Sequence, residues 1–200
     1  MKKYFILLIP FLISACANPI NRHTAIEYSR GCRALQAQNE WWKARMACGR
    51  ALTNAKLGRA SDNELAIYWY EYGRTSGAIC DYVEAQKGLE EAIKLDEATG
   101  GPLHMSLIEM AKLKSAQRQF GEALDYYKRG VAIMQNRAEK EDPLGLAKIF
   151  EEQAEIYRQL GNTALSKEFE ERAQKLRRDN PDKKSRTDHT PYGKFCHQKS

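Results

Sequence analysis

The sequence predicts an all-α protein built as a solenoid of helix-turn-helix repeats. After residue 20 there is little strict alternation of apolar and polar residues, which a half-buried strand would show. The prolines of this region stand at the edges of segments, at Pro102, Pro143, Pro181 and Pro191. Three segments of similar pattern follow one another, and self-similarity of this kind is the sequence signature of a repeat architecture.

The three similar segments read WYEYGRTSGAICDYVEAQKGLEEAI from Trp69, LIEMAKLKSAQRQFGEALDYYKRGV from Leu107 and FEEQAEIYRQLGNTALSKEFEERAQ from Phe150. Small residues at Gly73, Ala111 and Ala154 let one helix of a unit approach its antiparallel partner closely. A weaker fourth copy lies upstream, with Tyr28, Gly31, Cys32, Trp41, Ala44, Cys48 and Ala51 in register. Because a two-helix unit cannot bury its apolar face alone, successive units must stack.

These segments resemble the tetratricopeptide repeat (TPR), although Glu170 stands where an aromatic residue is usual. The resemblance implies a right-handed α-solenoid with three to four repeats at about 25–58, 66–99, 104–137 and 147–180, followed by a polar basic tail at 181–200. The copies are roughly 38 to 43 residues apart, which exceeds the usual 34. The stretch YYKRGVAIMQNRAEKED is therefore expected to be a lengthened second helix before a Pro-Leu-Gly turn.

The N-terminus is typical of a bacterial secretory signal. Lys2 and Lys3 precede an apolar run at 4–13, and small residues close the run before Cys16. The run is about ten residues long, against the roughly twenty that a membrane-spanning helix needs. The letters ISAC, which end at Cys16, resemble a bacterial lipobox.

The lipobox resemblance implies that the signal peptide, 1–15, is removed and that Cys16 is lipidated. Several acyl chains would then anchor the protein more firmly than one chain does. Residue Ala17, in place of the aspartate associated with inner-membrane retention, favours the outer membrane. Residues 16–24 become a lipidated tether, and the solenoid is expected to face the periplasm. The alternative is ordinary secretion with cleavage elsewhere and a free Cys16.

Four further cysteines remain, at Cys32, Cys48, Cys80 and Cys196. An even number in an oxidising compartment suggests two disulfides, and the sequence leaves three connectivities open. The expected hairpin of the first repeat turns near Asn39, and Cys32 and Cys48 lie at similar distances from that turn. This favours a bond between them. Pairing Cys80 with Cys196 would fold the tail over the solenoid; a free Cys196 or an intermolecular bond is the alternative.

The TPR resemblance implies a partner-binding groove on the concave face, which the first helix of each repeat lines. The residues expected to hold a partner there are Arg33, Arg74, Lys112, Tyr70, Ile108 and Glu155. Their charges and apolar groups suit an extended or helical peptide of acidic character. The asparagines of the family's carboxylate clamp are missing, which argues against a chaperone-tail clamp. The alternative is that these residues form solvated helix faces.

The adjacent pair Trp41 and Trp42 has two different expected roles. Trp41 falls where the repeat packs an aromatic side chain into the turn, so it belongs to the core. Trp42 should point elsewhere. It is a candidate partner anchor or a lipid-interface residue; the alternative is packing against the N-terminal segment.

The remaining features favour a binding protein over an enzyme. The net charge of +6 is mild, and nucleic acid is a poor partner for an exported protein. No nucleophile elbow, HExxH motif or phosphate-binding glycine loop is present, and no cofactor is expected. The sequence therefore predicts an outer-membrane lipoprotein that acts as a protein–protein adapter; it favours no oligomeric state.

Two alternatives stay open at this point. One is a surface-exposed lipoprotein that binds a factor of a host or neighbouring cell. The other is a metal-binding regulator acting through His189, Cys196 and His197, although their spacing matches no strong zinc pattern.

Overall fold

The computed structural model describes residues 18–185 and 189–197, without the side chains of 135–141. The signal peptide and Cys16 lie outside the described residues. Within those residues the chain forms eight α-helices and no strand, which confirms the all-α prediction. None of the described helices has the length and apolar character needed to cross a membrane.

The helices pack as four consecutive pairs. They are α1 (Pro19–Ala37), α2 (Trp41–Leu57), α3 (Asp62–Ala78), α4 (Tyr82–Thr99), α5 (Leu103–Ala116), α6 (Phe120–Glu141), α7 (Pro143–Gln159) and α8 (Thr163–Arg178). Each odd-numbered helix packs against the helix that follows it, and the pairs then stack through α2 on α3, α4 on α5 and α6 on α7. The first helices of neighbouring pairs, α3 and α5, also touch. The pairs begin at residues 19, 62, 103 and 143, against expected repeat starts at about 25, 66, 104 and 147.

The turns inside the pairs share one geometry. A residue with a left-handed backbone ends each one; these are Asn39, Cys80, Arg118 and Gly161. The next amide then donates to a carbonyl five residues earlier, as Asp81 does to Ser76 at 3.0 Å. This closure satisfies carbonyls that a helix end leaves unpaired. It recurs four times, so the repeat is visible in the backbone as well as in the side chains.

Close packing within a pair depends on small residues, as the sequence predicts. A Cβ atom on Gly88 of α4 would lie 2.8 Å from the Cα of Gly73 on α3. Any larger residue at either position would force the two helices apart. Leu89, Met110 and Leu113 are fully buried beside this crossing.

The long sixth helix is confirmed, but the Pro-Leu-Gly stretch after it is not a separate turn. Pro143 is the first residue of α7, where proline fits because its missing N–H needs no helical partner. The Asp142 side chain caps this helix by accepting from the Gly145 amide at 2.9 Å.

The structure contains two disulfides, the bond favoured for the first repeat and one of the pairings that the sequence left open. Cys32 joins Cys48 between α1 and α2, and Cys80 joins Cys196, with Cα–Cα distances of 5.3 and 5.0 Å. The second bond brings the end of the chain back onto the solenoid. Residues 189–197, the tail segment, are therefore packed structure and not part of a detached polar tail.

Candidate protein-binding face

The tail segment lies across the first helices of three pairs. Its Thr190 contacts Arg74 of α3, and its Tyr192 contacts Glu109 of α5. The Nδ1 atom of His189 lies 3.7 Å from a carboxylate oxygen of Glu152 on α7. The side of the solenoid that these first helices form is the expected concave face, and the chain itself occupies its middle.

Tyr192 enters a slot that glycine makes possible. A Cβ atom at Gly77 would overlap the tyrosine ring, so a larger residue there would exclude it. The ring packs against the cluster that contains Leu89 and Met110. Its hydroxyl donates to Glu109 Oε2 at 2.9 Å. Burial raises the pKa of Tyr192 well above its ordinary value, so the hydroxyl keeps its proton. The term Tyr192 slot is used below for the site formed by Gly77, Glu109 and the cluster that contains Leu89 and Met110.

The backbone of the tail segment is also held. The Phe195 amide donates to the Ala78 carbonyl at 3.1 Å, and the Gly193 amide to the Gly77 carbonyl at 3.4 Å. Both carbonyls belong to the last turn of α3, where a helix leaves its own acceptors unpaired. The Phe195 ring lies 6.0 Å from the Trp41 ring. The segment turns between these contacts, because the Lys194 amide donates to the Pro191 carbonyl at 3.2 Å and Gly193 has a φ of 74°. Main-chain bonds combined with side-chain pockets are a means by which proteins hold peptide segments.

A buried charge cluster lies beneath the tail segment. Glu109, Arg74 and Lys112 are 3%, 4% and 7% exposed. The Lys112 ammonium lies 3.0 Å from one oxygen of Glu109, and the Arg74 guanidinium lies 3.8 Å from the other. Arg74 Nε also donates to Thr190 Oγ1 at 2.8 Å. Burial by itself would raise the pKa of Glu109, but Lys112 and Arg74 outweigh it and bring that pKa to about 2.

The expected groove residues lie on first helices, but three of them are not open to a partner. Arg74 is covered by the tail segment, and both Arg74 and Lys112 are buried and engaged with Glu109. Ile108 is 5% exposed because its side chain packs against α6 at Gly130. The expectation of an open basic groove is therefore wrong at Arg74 and Lys112, which are buried beside Glu109, and Ile108 belongs to the core.

The other three groove residues have different surroundings. Tyr70 is half-buried, with the Arg74 guanidinium 5.2 Å from its ring centre. Arg33 is exposed on α1, and Glu155 is exposed on α7 in an ion pair with Arg158. Their binding role remains a prediction.

An open cavity of about 420 Å³ lies beside the tail segment, between it and the helices α5, α6 and α7. This side cavity is lined by Lys112, Ser115, Tyr127, Lys148, Glu152 and Lys194, among others. It is the part of the concave face that the tail segment leaves accessible.

The acidic groups of the side cavity are already engaged. Glu151 accepts two bonds from Arg177 at 2.7 and 2.8 Å, and Glu152 accepts from the Tyr127 hydroxyl at 2.8 Å. Burial, helped by Lys148 and Lys112, lowers the pKa of His189 to about 4, so that this ring is neutral at pH 7. The lysines thus dominate the electrostatic environment of His189.

Trp41 is a core residue, as expected, but Trp42 is not an exposed anchor. Trp42 is half-buried and packs on the cluster of Trp41, Ala78 and Ile79, which Phe195 also joins. Both tryptophans therefore belong to the apolar patch that receives the end of the tail segment.

A tail-mediated metal site is contradicted by the second disulfide. Metal binding through Cys196 needs a thiolate, and its sulfur is bonded to Cys80. Within the part of the chain that the structure describes, one other group, Cys32, Cys48 and Glu71, has ligand spacing. Its two sulfurs are likewise bonded to each other.

Sequence reasoning missed the residues that make the face a binding surface. Gly77, Glu109, Thr190, Tyr192 and Phe195 were not among the expected site residues. The available signal was the composition of the tail, where a proline and two aromatic residues stand beside Cys196 in an otherwise polar stretch.

No family model and no curated protein matches the chain. Among solved structures, BtubC from P. vanneervenii has a TM-score of 0.71 at 16% identity, over 82% of this chain and 67% of that one. Aspartyl phosphate phosphatase F from Bacillus subtilis has the same TM-score and identity, over 81% of this chain and only 42% of that one. The kinesin light chain TPR-like repeats from Podosopora anserina have a TM-score of 0.61 at 18% identity, over 80% of this chain and 77% of that one. At these identities the likeness concerns the fold alone, and that fold is a TPR-like α-solenoid.

Proposed function

We propose that this protein is a lipid-anchored adapter that holds partner proteins on the concave face of its TPR-like solenoid. The observation that carries the proposal is the tail segment, a stretch of chain with a turn at 191–194 that is bound on that face. Tyr192 and Phe195 fill apolar sites, and the amides of the segment pair with carbonyls of α3. A surface that holds a segment through main-chain bonds and side-chain pockets together has the chemistry of a peptide-recognition site.

The partner's place on the intact protein is the side cavity. It is a concave site in which a few polar groups, including Ser115 and Lys148, surround a space of about 420 Å³. Binding sites commonly combine such a cavity with a small number of orienting polar groups. A partner there would contact the solenoid and the tail segment together, so the tail is part of the recognition surface.

The location forms the second part of the proposal and rests on the lipobox resemblance at Cys16. An anchor at the outer membrane, with the solenoid in the periplasm, raises the local concentration of the adapter near envelope proteins. Partners of three kinds fit this setting: envelope assembly machinery, pilus or secretion components, and cell-wall enzymes.

Site-specific crosslinking in the native cell tests the adapter role. A photoreactive residue in place of Ser115, in the side cavity, is expected to capture a discrete partner protein. The matched control replaces Val83, which is 79% exposed on the second helix α4, and should not capture it. The absence of any specific product from position 115, or equal products from both positions, would contradict the proposal.

A Cys16→Ser variant tests the anchor separately. Without the sulfur that carries the lipid, the protein should accumulate as an unprocessed or soluble form. Normal processing and full membrane retention of this variant would show that Cys16 is not the anchor.

A further inference from the structure

The tail segment is bound as a ligand would be, through three side chains at fixed spacing. Thr190 accepts from Arg74, Tyr192 fills the Tyr192 slot, and Phe195 lies against Trp41. Thr190 is 1% exposed, and it also hydrogen-bonds Glu109. The contacts therefore form one connected site across α3, α5 and the start of α2.

The site selects by chemistry as well as by shape. The space above Gly77 admits a ring, and Glu109 at its end accepts a hydrogen bond. A phenylalanine would fill the slot but would remove a donor from a buried carboxylate, which is costly. At the position that Thr190 occupies, the guanidinium of Arg74 donates a hydrogen bond to an uncharged oxygen.

We propose that this is a binding site for a peptide segment that turns as the tail segment does and carries a threonine, a tyrosine two residues later and an aromatic residue three residues after that. In the structure the chain's own tail segment fills it. The proposal rests on the adapter role and adds a second site to the side cavity, one that takes a partner segment of hydroxyl-bearing and aromatic chemistry when the tail segment is displaced. It replaces the acidic peptide expected from the sequence, since Arg74 and Lys112 already have Glu109 as their counter-ion.

The Cys80–Cys196 disulfide explains why the chain's own tail segment occupies the site. Cys196 follows Phe195 directly and is bonded to Cys80, and the other end of the segment continues from α8. A segment tethered at both ends has a high effective concentration, on the order of millimolar or more. A free peptide therefore competes effectively with the tail segment only after the Cys80–Cys196 disulfide and the Tyr192 contact have been removed.

The test uses a release variant of the full chain, which combines Cys80→Ser, Cys196→Ser and Tyr192→Ala. The probe is a fluorescent peptide of the sequence HTPYGKF, residues 189–195. Its anisotropy should show saturable binding to the release variant and none to the oxidised wild type. Replacing the peptide's tyrosine by alanine should weaken binding about tenfold or more. A release variant that keeps its helical circular dichroism but binds no peptide would overturn the proposal.

Gly77→Ala is the matched control within the release variant. The added methyl group closes the slot, while its nearest other neighbour, the Cβ of Ala85, lies at an ordinary 3.4 Å. Peptide binding should fall about tenfold or more with helicity retained. Equal peptide binding with and without this change would also overturn the proposal.

A second measurement keeps the inference testable even if the release variant does not fold. Gly77→Ala in the otherwise native chain should expel Tyr192 and open the Lys194–Phe195 peptide bond to trypsin, whereas the wild type should resist cleavage there. Equal resistance in both proteins would contradict the site. These measurements are made on purified protein at the filled site, so their outcome is independent of crosslinking from Ser115 in cells.

Discussion

At the scale of single residues, Glu109 organises the buried polar groups of the concave face. Its carboxylate meets Lys112, Arg74 and the Tyr192 hydroxyl, which come from α5, α3 and the tail segment. A buried charge is tolerated only when partners replace the water it has lost, and removal of one partner leaves the others uncompensated. The docking of the tail segment and the ionisation of Glu109 are thus physically linked.

We predict that Glu109→Gln lowers stability in a pH-dependent way. The folded-state pKa of Glu109, about 2, lies below its ordinary value of 4.5. Its ionised form therefore stabilises the fold above about pH 4.5, and this contribution is lost as the pH falls towards 2. Near neutral pH the variant should be less stable by about 3 to 5 kcal/mol, the usual cost of breaking a buried pair.

Thermal unfolding followed by circular dichroism at about pH 7, 4 and 2.5 checks this prediction. The difference in melting temperature between the two proteins should narrow as the pH falls. Burial raises the pKa of the neighbouring Glu152, and the Glu109 charge raises it further; the variant removes the second of these contributions and keeps the first. A difference that stays constant over the whole range would contradict the role given to Glu109.

Individual residues were predictable where their environment comes from the repeat. Trp41 and Gly73 are buried at helix contacts that recur in each pair, and the pattern identifies such positions. The sequence pattern places Arg74 and Lys112 on an exposed helix face, although both side chains are buried in the structure. The burial of Arg74 depends on a segment whose disulfide bond spans 116 positions of sequence, and no local pattern contains that information.

At the scale of elements, the first helix pair is the one that has a crosslink of its own. The pair α1 and α2 packs on the rest of the solenoid through α2 against α3. Cys32 and Cys48 are each 1% exposed and join the two helices. A terminal repeat has one neighbour instead of two, so its stability depends more on internal bonds.

Replacing both Cys32 and Cys48 by serine should therefore loosen the first pair selectively. A crosslink across a loop of this length contributes about 3 kcal/mol. Hydrogen exchange should become faster in residues 19–57 and remain nearly unchanged in 143–178. The control, Cys80→Ser with Cys196→Ser, should instead affect the tail segment and the end of α3. Uniform acceleration along the whole chain would show that the pairs do not respond as separate units.

The elements themselves were largely predictable, with errors at their boundaries. The repeat period of the sequence segments predicts the four helix pairs, because stacking requires small and large residues at the same positions of each repeat. The Pro-Leu-Gly stretch was misassigned, since proline both stops a helix and begins one well. The Asp142 cap decides in favour of a helix start.

At the scale of the whole molecule, the protein is a solenoid whose concave face is partly filled by its own end. Repeat periodicity describes contacts between neighbouring units, and the fold follows from it. The docking of the tail segment is a single, non-periodic contact. The even number of cysteines and the proline and aromatic residues beside Cys196 indicated it, but they left the disulfide connectivity open.

The central claim is that residues 189–197 are bound on the concave face of the native, oxidised protein. Amide hydrogen exchange at Phe195, resolved by NMR, tests this most directly because that amide donates to Ala78 of α3. Strong protection is expected in the wild type, together with its loss in Gly77→Ala, where the slot for Tyr192 is closed. Exchange of the wild-type Phe195 amide at the rate of an unstructured peptide would contradict the account.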